Sequence, residues 1–526
     1  MFDVLIKCGK LVDGTGNPWY IADVGIRDGK IAKIGRNLGE AKHTVDASGK
    51  IVAPGFIDTH THSDFTLLQD PRAISKVHQG VTTEIVGNCG GWIAPITRDT
   101  QELVSSLLPK HGDIEIDWTG IGGYLDRLQK QKVALNVGAL VGFANVRAAV
   151  MGLSRDAASD EQIAKMRGLV EENIEQGAFG LSTGLFYAPQ SYAAEHEVTE
   201  VVKALKKHDA LYVTHIRDEG NYTIGLKASL EEAFRTQEDA GVMLHISHLQ
   251  ANGVAAWGSG PDMVETIERR RAIGMDVTCD VYPYDRCGGG ISGSVMPRWA
   301  LEGGRNEVLK RLRDPATRAK IAHEIKETFK KRGGAELHTF SSVSSDPHYE
   351  GKTLDEVARD IGESPEFAVL TLLERGEASW VSAILHSDDV ASIMKADWAM
   401  VGSDGSSLAL SGPVSGGKPH PRNFGSFPRV LRHYCLDSGL LSLEQAVRKM
   451  TSLAAQRFGL VGRGLLKEGF YADTVIFDPN TIRDTATFQN PHSLPEGITH
   501  VMVNGEFVVS DSKHTGTLPG LALRNC

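Results

Sequence analysis

The chain has 526 residues, is 41% hydrophobic and 23% charged, and carries a formal net charge of −10. This is a globular composition with room for a large core or several domains, and the acidic balance excludes a general nucleic-acid binder, which needs a basic surface. No uninterrupted apolar run approaches a membrane span, and Met1–Lys7 lacks the basic start and long apolar core of a signal peptide, so a cytoplasmic protein is expected.

Residues 1–54 read as short strands and turns. Asp3–Ile6, Ala22–Ile26 and Lys30–Ile34 are strand-like, and Asp13-Gly14 and Asp28-Gly29 are turn signals. Thr474–Asp478 and His500–Val509 repeat this character near the other end. Neither end makes a good sheet alone. One small β-domain built from residues 1–54 and 460–526 is expected, with 55–459 inserted between them.

The middle alternates strand-like and helix-like segments. The predicted strands are Gly55–His62, Thr82–Cys89, Val137–Phe143, Gly180–Leu185, Leu211–His215, Met243–His248, Asp276–Tyr282 and Trp398–Ser403. Helical patterns such as Ala164–Gln176, Val198–His208, Ser229–Ala240 and Met263–Ala272 lie between them. Eight alternating units imply an α/β fold with a parallel sheet closed as a (β/α)8 TIM-like barrel. A charged stretch at about 291–343 breaks the rhythm and reads as an insertion after the seventh strand. A doubly wound open sheet is the alternative, but no Gly-rich dinucleotide fingerprint supports it. The Gly/Ser-rich segment Ser403–Lys418 reads as an active-site loop.

Six scattered cysteines (Cys8, Cys89, Cys279, Cys287, Cys435, Cys526) include no CxxC pair. They fit thiols better than a disulfide framework.

In a barrel of this kind chemistry sits at the C-terminal strand ends. The first predicted strand ends in His60-Thr61-His62, whose two imidazoles share one face. The second ends at Cys89, the fifth at His215, the sixth at His248 and the eighth at Asp404. Alone, each has a bland reading: a hydrogen-bonded histidine, a small buried thiol, a helix-capping aspartate. Their coincidence at independently assigned strand ends favours a metal site. Imidazole and thiolate suit zinc, zinc-bound water ionises near neutral pH, and Asp404 is placed to carry the proton. His245 faces away from His248 and reads as structural. His386 is ambiguous, and His78, His111, His208 and His433 read as surface or packing residues.

Pro54–His62, Gly87–Gly90, Thr214–Glu219, Ile246–His248, Asp280–Tyr284 and Gly402–Gly405 together resemble the amidohydrolase superfamily and, within it, the D-aminoacylase (N-acyl-D-amino-acid deacylase) family. Gly462–Gly464, Ala472-Asp473 and Val503–Gly505 are similar too, so the resemblance spans nearly the whole chain. The Cys89 motif is its most specific part, because many relatives hold their metals with a lysine or glutamate. The resemblance implies a zinc held tightly by Cys89, His215 and His248, and a weaker second site at His60, His62 and Asp404. It also makes Asp404 the acid/base of an N-acyl amide hydrolysis on a small-molecule substrate.

Arg422 matches a carboxylate-binding arginine, a role that suits a guanidinium fork, and Tyr282 resembles the tyrosine that assists it. The sequence departs from the family where a lysine normally follows the sixth-strand histidine by two positions. Here Gln250 brings no charge, and Arg286 is the candidate replacement. The alternative is a hydrolase of another amide, or of a cyclic amide as in hydantoinases and dihydroorotases. Those normally bridge two metals with a carboxylated lysine, and no lysine stands at a strand end. A metal-binding protein without catalysis is a third reading, against which Asp404 counts.

Overall fold

The computed structural model describes residues 1–97, 100–101, 104 and 114–525. His111 and Cys526 lie outside the described residues.

Five strands open the chain: β1 (Phe2–Leu11), β2 (Tyr20–Arg27), β3 (Lys30–Gly35), β4 (Ala41–Asp46) and β5 (Ile51–Pro54). A parallel series follows: β6 (Phe56–Asp58), β7 (Val81–Val86), β8 (Asn136–Ala139), β9 (Val141–Gly142), β10 (Gly180–Gly184), β11 (Leu211–His215), β12 (Met243–Ile246) and β13 (Val277–Val281). Three antiparallel strands interrupt it: β14 (Cys287–Gly290), β15 (His338–Val343) and β16 (Ala378–Ser382). β17 (Ala399–Val401) rejoins the parallel series. β18 (Thr474–Phe477), β19 (Ile498–Val503), β20 (Glu506–Ser510) and β21 (Lys513–His514) close the chain.

The two ends share one nine-stranded sheet, in which β5 pairs antiparallel with β18 from Pro54↔Thr474 to Ile51↔Phe477. Its apolar face buries Val4, Ile6, Val24, Val52, Ile476 and Met502 together. Asp473 ties this sheet to the parallel series. Its carboxylate pairs with Arg463, receives the backbone N–H of Asn504 at 2.8 Å and meets Asn136 Nδ2 of β8 at 3.3 Å.

The parallel strands pair as β6-β7-β8 and as β9-β10-β11-β12-β13-β17. Only Leu140 separates β8 from β9, and its N–H donates to the Val86 carbonyl of β7 at 3.0 Å. Beyond β17 the chain meets the first parallel strand again: Asp404 N donates to His60 O at 2.8 Å and His62 N to Gly405 O at 2.9 Å. β10 and β11 are buried at every residue, the pattern of parallel strands covered on both faces. Helices Asp160–Glu175, Leu226–Ala240 and Gly260–Ala272 begin several residues before their predicted starts. The first turn of Asp160–Glu175 opens on polar residues that an apolar period does not mark, and a Ser159–Gln162 capping box fixes it.

Four strands stop two or more residues short of their predicted ends, at Asp58, Val86, Ile246 and Val401. The cause at two of them is local. Cys89 (φ 55°) and His248 (φ 27°) take left-handed backbone conformations, which end a β-ladder. The antiparallel β14-β16-β15 sheet has its own apolar core, running from Ile291 to Trp380. No helix of the described residues is long and apolar enough to cross a membrane.

Asp473→Ala strands Arg463, only 5% exposed, without its carboxylate. The expected loss is about 3–5 kcal/mol, read as a lowered denaturant midpoint. An unchanged midpoint would show that Asp473 does not tie the two sheets.

Candidate metal centre

Cys89 lies in the short turn Asn88–Gly90 after β7. Its Sγ is 3.4 Å from His60 Nε2, 3.5 Å from His248 Nε2 and 3.7 Å from His215 Nδ1. These histidines follow β6, follow β12 and end β11. His215 Nδ1 and His248 Nε2 are 3.0 Å apart. Tetrahedral zinc bonded to sulfur and imidazole at their usual lengths spaces those donors by about 3.6 Å. The donor set therefore fits a metal ion.

The outward ring nitrogens make the same point. His60 Nδ1 faces Asp280 at 3.4 Å. His248 Nδ1 and His215 Nε2 face Glu219 at 2.9 and 3.7 Å. Each imidazole thus turns one nitrogen to the sulfur and the other to a carboxylate. A carboxylate behind the ring is the usual companion of a ligating histidine and makes it more basic; here the three contacts are ion-pair distances. Asp280 is itself fixed by His245 Nε2 at 2.8 Å and by the backbone N–H of His248 at 2.7 Å.

Asp404 joins the cluster from the last parallel strand. Its Oδ1 is 3.0 Å from His62 Nε2 and 3.6 Å from His60 Nε2, and its Oδ2 is 2.7 Å from Arg422 Nη1. His60 therefore stands within reach of both Cys89 and Asp404. The two ligand groups implied by the resemblance meet at this ring. Gly402 permits the approach: a Cβ there would sit 2.7 Å from the Cβ of His60 and 3.0 Å from Asp280 Oδ1. Asp404 (φ 50°) is left-handed like Cys89 and His248. Such positions cost about 1–3 kcal/mol each and gather at functional sites.

Charge in this buried space favours cations. Burial alone would lower His60, but Asp280 and Cys89 outweigh it and raise it to about 9. His248 rises too, as Glu219, Asp404 and Cys89 overcome burial. Burial pushes the Cys89 thiol up, yet His60 and His248 hold it well below its ordinary value. Asp404 is likewise held low against burial by Arg422, His248 and His62. Positive charge is stabilised here, whether as protons or as a metal ion.

Beneath the cluster, fully buried Lys76 pairs with Asp58 at 2.8 Å and Glu84 at 3.1 Å and donates to Ser403 Oγ at 2.7 Å. Asp58 in turn accepts from Ser403 N at 2.8 Å. This trio ties β6, β7 and the end of β17 together, and it occupies the lysine within the protein.

Arg422 is 7% exposed and stacks 5.0 Å from the Tyr282 ring. Tyr282 donates its hydroxyl to Gln250 Oε1, and Gln250 Nε2 donates to Glu219 Oε2 at 2.6 Å. Gln250 thus links the tyrosine to the carboxylate behind two histidines. The Arg286 side chain lies elsewhere, its guanidinium covering the Phe488 ring at 4.1 Å; only its backbone carbonyl reaches the site, meeting His420 Nε2 at 3.0 Å, while Arg422 N donates to His420 Nδ1 at 3.0 Å. His386 caps the helix Ser387–Lys395 and packs against Trp257. His78 bonds back to Ile74 O, while His208 and His433 sit in helical turns.

Sequence reasoning missed Glu219, Asp280 and Lys76. Glu219 stands four residues after His215, and Asp280 stands near the end of the seventh strand, where the search for polar strand ends would have found it. Nothing in the sequence marks Lys76, which a short helix turns inward.

A family model described as the amidohydrolase family matches residues 43–509. D-aminoacylase of Alcaligenes xylosoxydans xylosoxydans is 39% identical over 99% of this chain and 97% of its own length. A solved D-aminoacylase, described for the functional role of its binuclear metal centre, has a TM-score of 0.84 at 34% identity, covering 100% of both chains. N-acyl-D-glutamate deacylase from Bordetella bronchiseptica, solved with zinc and a phosphonate inhibitor that mimics the tetrahedral intermediate, has a TM-score of 0.84 at 32% identity over 99% of each chain. The chain belongs to the amidohydrolase family, in its D-aminoacylase branch.

Proposed function

We propose that this amidohydrolase is a zinc-dependent deacylase that cleaves N-acyl-D-amino acids to a carboxylic acid and a free amino acid. One observation carries the reading: three imidazole nitrogens meet at the Cys89 sulfur, and the carboxylate of Asp404 opens onto the same cluster. The relatives named above supply the linear amide and the D configuration. Cys89, His215 and His248 hold the tighter zinc in this reading, and His60, His62 and Asp404 a weaker second one.

When bound, zinc polarises the acyl carbonyl and makes hydroxide available near neutral pH. Asp404 accepts the proton released as water attacks and returns it to the departing nitrogen. Arg422 grips the substrate carboxylate. Its buried Nε has no hydrogen-bond partner among the described residues, so donors remain for a bidentate pair. The Tyr282 ring supports the guanidinium, and Gln250 fixes Tyr282 through its hydroxyl. A cyclic-amide hydrolase is the weaker reading, because Lys76 is engaged by Asp58, Glu84 and Ser403.

The same reading covers the architecture. The two parallel sheets form one (β/α)8 barrel, supported by the Leu140 link and by the bonds between His60–His62 and Asp404-Gly405. The terminal sheet, 1–54 plus 460–526, is a separate small domain, and the segment after β13 is an insertion. We place the protein in the cytoplasm.

Removing metal with a chelator should abolish hydrolysis of N-acetyl-D-amino acids, and zinc should restore it; turnover that survives metal removal would overturn the proposal. Cys89→Ala should lose the tightly bound zinc on dialysis, measured by metal analysis. Asp404→Asn should keep that zinc and lose about 10²–10⁴-fold in kcat. Near-normal turnover in Asp404→Asn would remove it from the proton transfer.

A further inference from the structure

Arg422 opens the helix Arg422–Arg429, and a histidine two residues ahead fixes its backbone. His420 is only 4% exposed. The Arg422 N–H donates to His420 Nδ1 at 3.0 Å, and His420 Nε2 meets the Arg286 carbonyl at 3.0 Å. A backbone N–H can only donate and a carbonyl can only accept. The ring is therefore the neutral tautomer with its proton on Nε2, since no other tautomer or charge state makes both bonds. Burial and the Arg422 guanidinium agree with this, holding the His420 pKa well below the ordinary histidine value.

The ring is itself held from the terminal sheet. Between β18 and β19 the chain runs out to Phe488, whose ring stands edge-on to His420 at 5.1 Å. Tyr284 stands edge-on to both, 5.1 Å from His420 and 6.4 Å from Phe488. Arg286 lays its guanidinium over Phe488 while its carbonyl accepts from His420. The same connection grips the far end of the Arg422 helix. Asp484 meets Arg429 Nη1 at 3.3 Å, and Arg429 Nε donates to Pro283 O at 2.7 Å. Gly425 lets the helix sit this close: a Cβ there would lie 2.7 Å from the Tyr284 hydroxyl and 2.8 Å from the Asp484 Cβ. The helix that carries Arg422 is thus anchored at its start by His420 and at its end by Asp484.

We propose that His420 is the positioning residue for Arg422, and that Phe488 makes the terminal sheet part of the grip on the substrate carboxylate. This rests on the deacylase reading above and deepens it. A guanidinium pairs with a carboxylate bidentately only in a matched orientation, and Arg422 already has a competing carboxylate, Asp404, at 2.7 Å. With its backbone fixed, Arg422 keeps its fork turned to the substrate instead of swinging wholly onto Asp404. Arg286 takes part through its carbonyl, not its charge.

The test assays zinc-loaded full-length protein on a panel of N-acetyl-D-amino acids and compares the best substrate with its carboxamide. The wild-type enzyme should favour the acid by at least ~10-fold in kcat/KM, the scale of a hydrogen bond to a charged group. His420→Ala should lose most of that preference through a raised KM for the acid, while zinc content and carboxamide turnover stay. His420→Asn should restore the preference, because an asparagine oxygen accepts from the backbone N–H two residues on, as Nδ1 does here. His420→Gln, whose longer amide replaces Nε2 instead, should not. Phe488→Ala should weaken the preference in part; a full preference there removes the terminal sheet from the grip. A full preference in His420→Ala overturns the proposal. So does an equal loss on acid and carboxamide, which a merely structural role would give, or equal recovery in the Asn and Gln variants. Those two variants decide the matter where the alanine variant fails to fold. A wild-type enzyme indifferent to the carboxylate overturns the Arg422 role and this proposal with it. No turnover of any panel member overturns the deacylase reading itself.

Discussion

Three imidazole nitrogens meet at the Cys89 sulfur, each carried by a different strand of the parallel series. No one strand can make this site. It exists only when β6, β7, β11 and β12 stand in register, so its geometry reports on the whole parallel sheet. Cys89 reaches the position by taking a left-handed backbone conformation immediately after β7, and Gly402 lets the returning chain pass close to His60. The bonds from Asp404 N to His60 O and from His62 N to Gly405 O then set the last strand beside the first. They bring the carboxylate of Asp404 to the ring that already touches the sulfur.

A cluster of this kind is defined as much by what stands behind it as by its donors. Asp280 and Glu219 place negative charge behind three imidazoles, at ion-pair distance from their far nitrogens. His245 looks idle from its position facing away from His248, yet it fixes Asp280. Gln250 fixes Tyr282 and touches Glu219. The substrate end and the metal end of the site are therefore linked: Tyr282 and Gln250 reach Glu219 by hydrogen bonds, and Glu219 makes an ion-pair contact with His248. A change at position 250 is felt at both.

Much of this was legible in the sequence because strand ends are marked twice, by a falling apolar run and by the residue that follows it. His60, His62, Cys89, His215 and His248 stand in the last residues of predicted strands and Asp404 directly after one, and the structure brings all six into one cluster. The pairing of the two chain ends followed from their short strands. The carboxylates were less visible. Asp280 was open to the search for polar strand ends, but Glu219 gains meaning only from the histidines it faces, and facing is a tertiary property. Lys76 reads as an ordinary helical lysine, because nothing local says that its helix turns it toward Asp58 and Glu84.

The account turns on Cys89 as a metal ligand, and zinc K-edge X-ray absorption on protein loaded with one equivalent of zinc tests that most directly. It predicts one sulfur scatterer at about 2.3 Å, with the remaining shell of nitrogen or oxygen at about 2.0–2.1 Å. A shell made of nitrogen and oxygen alone would contradict it, because the zinc would then sit away from the point where the three histidines meet.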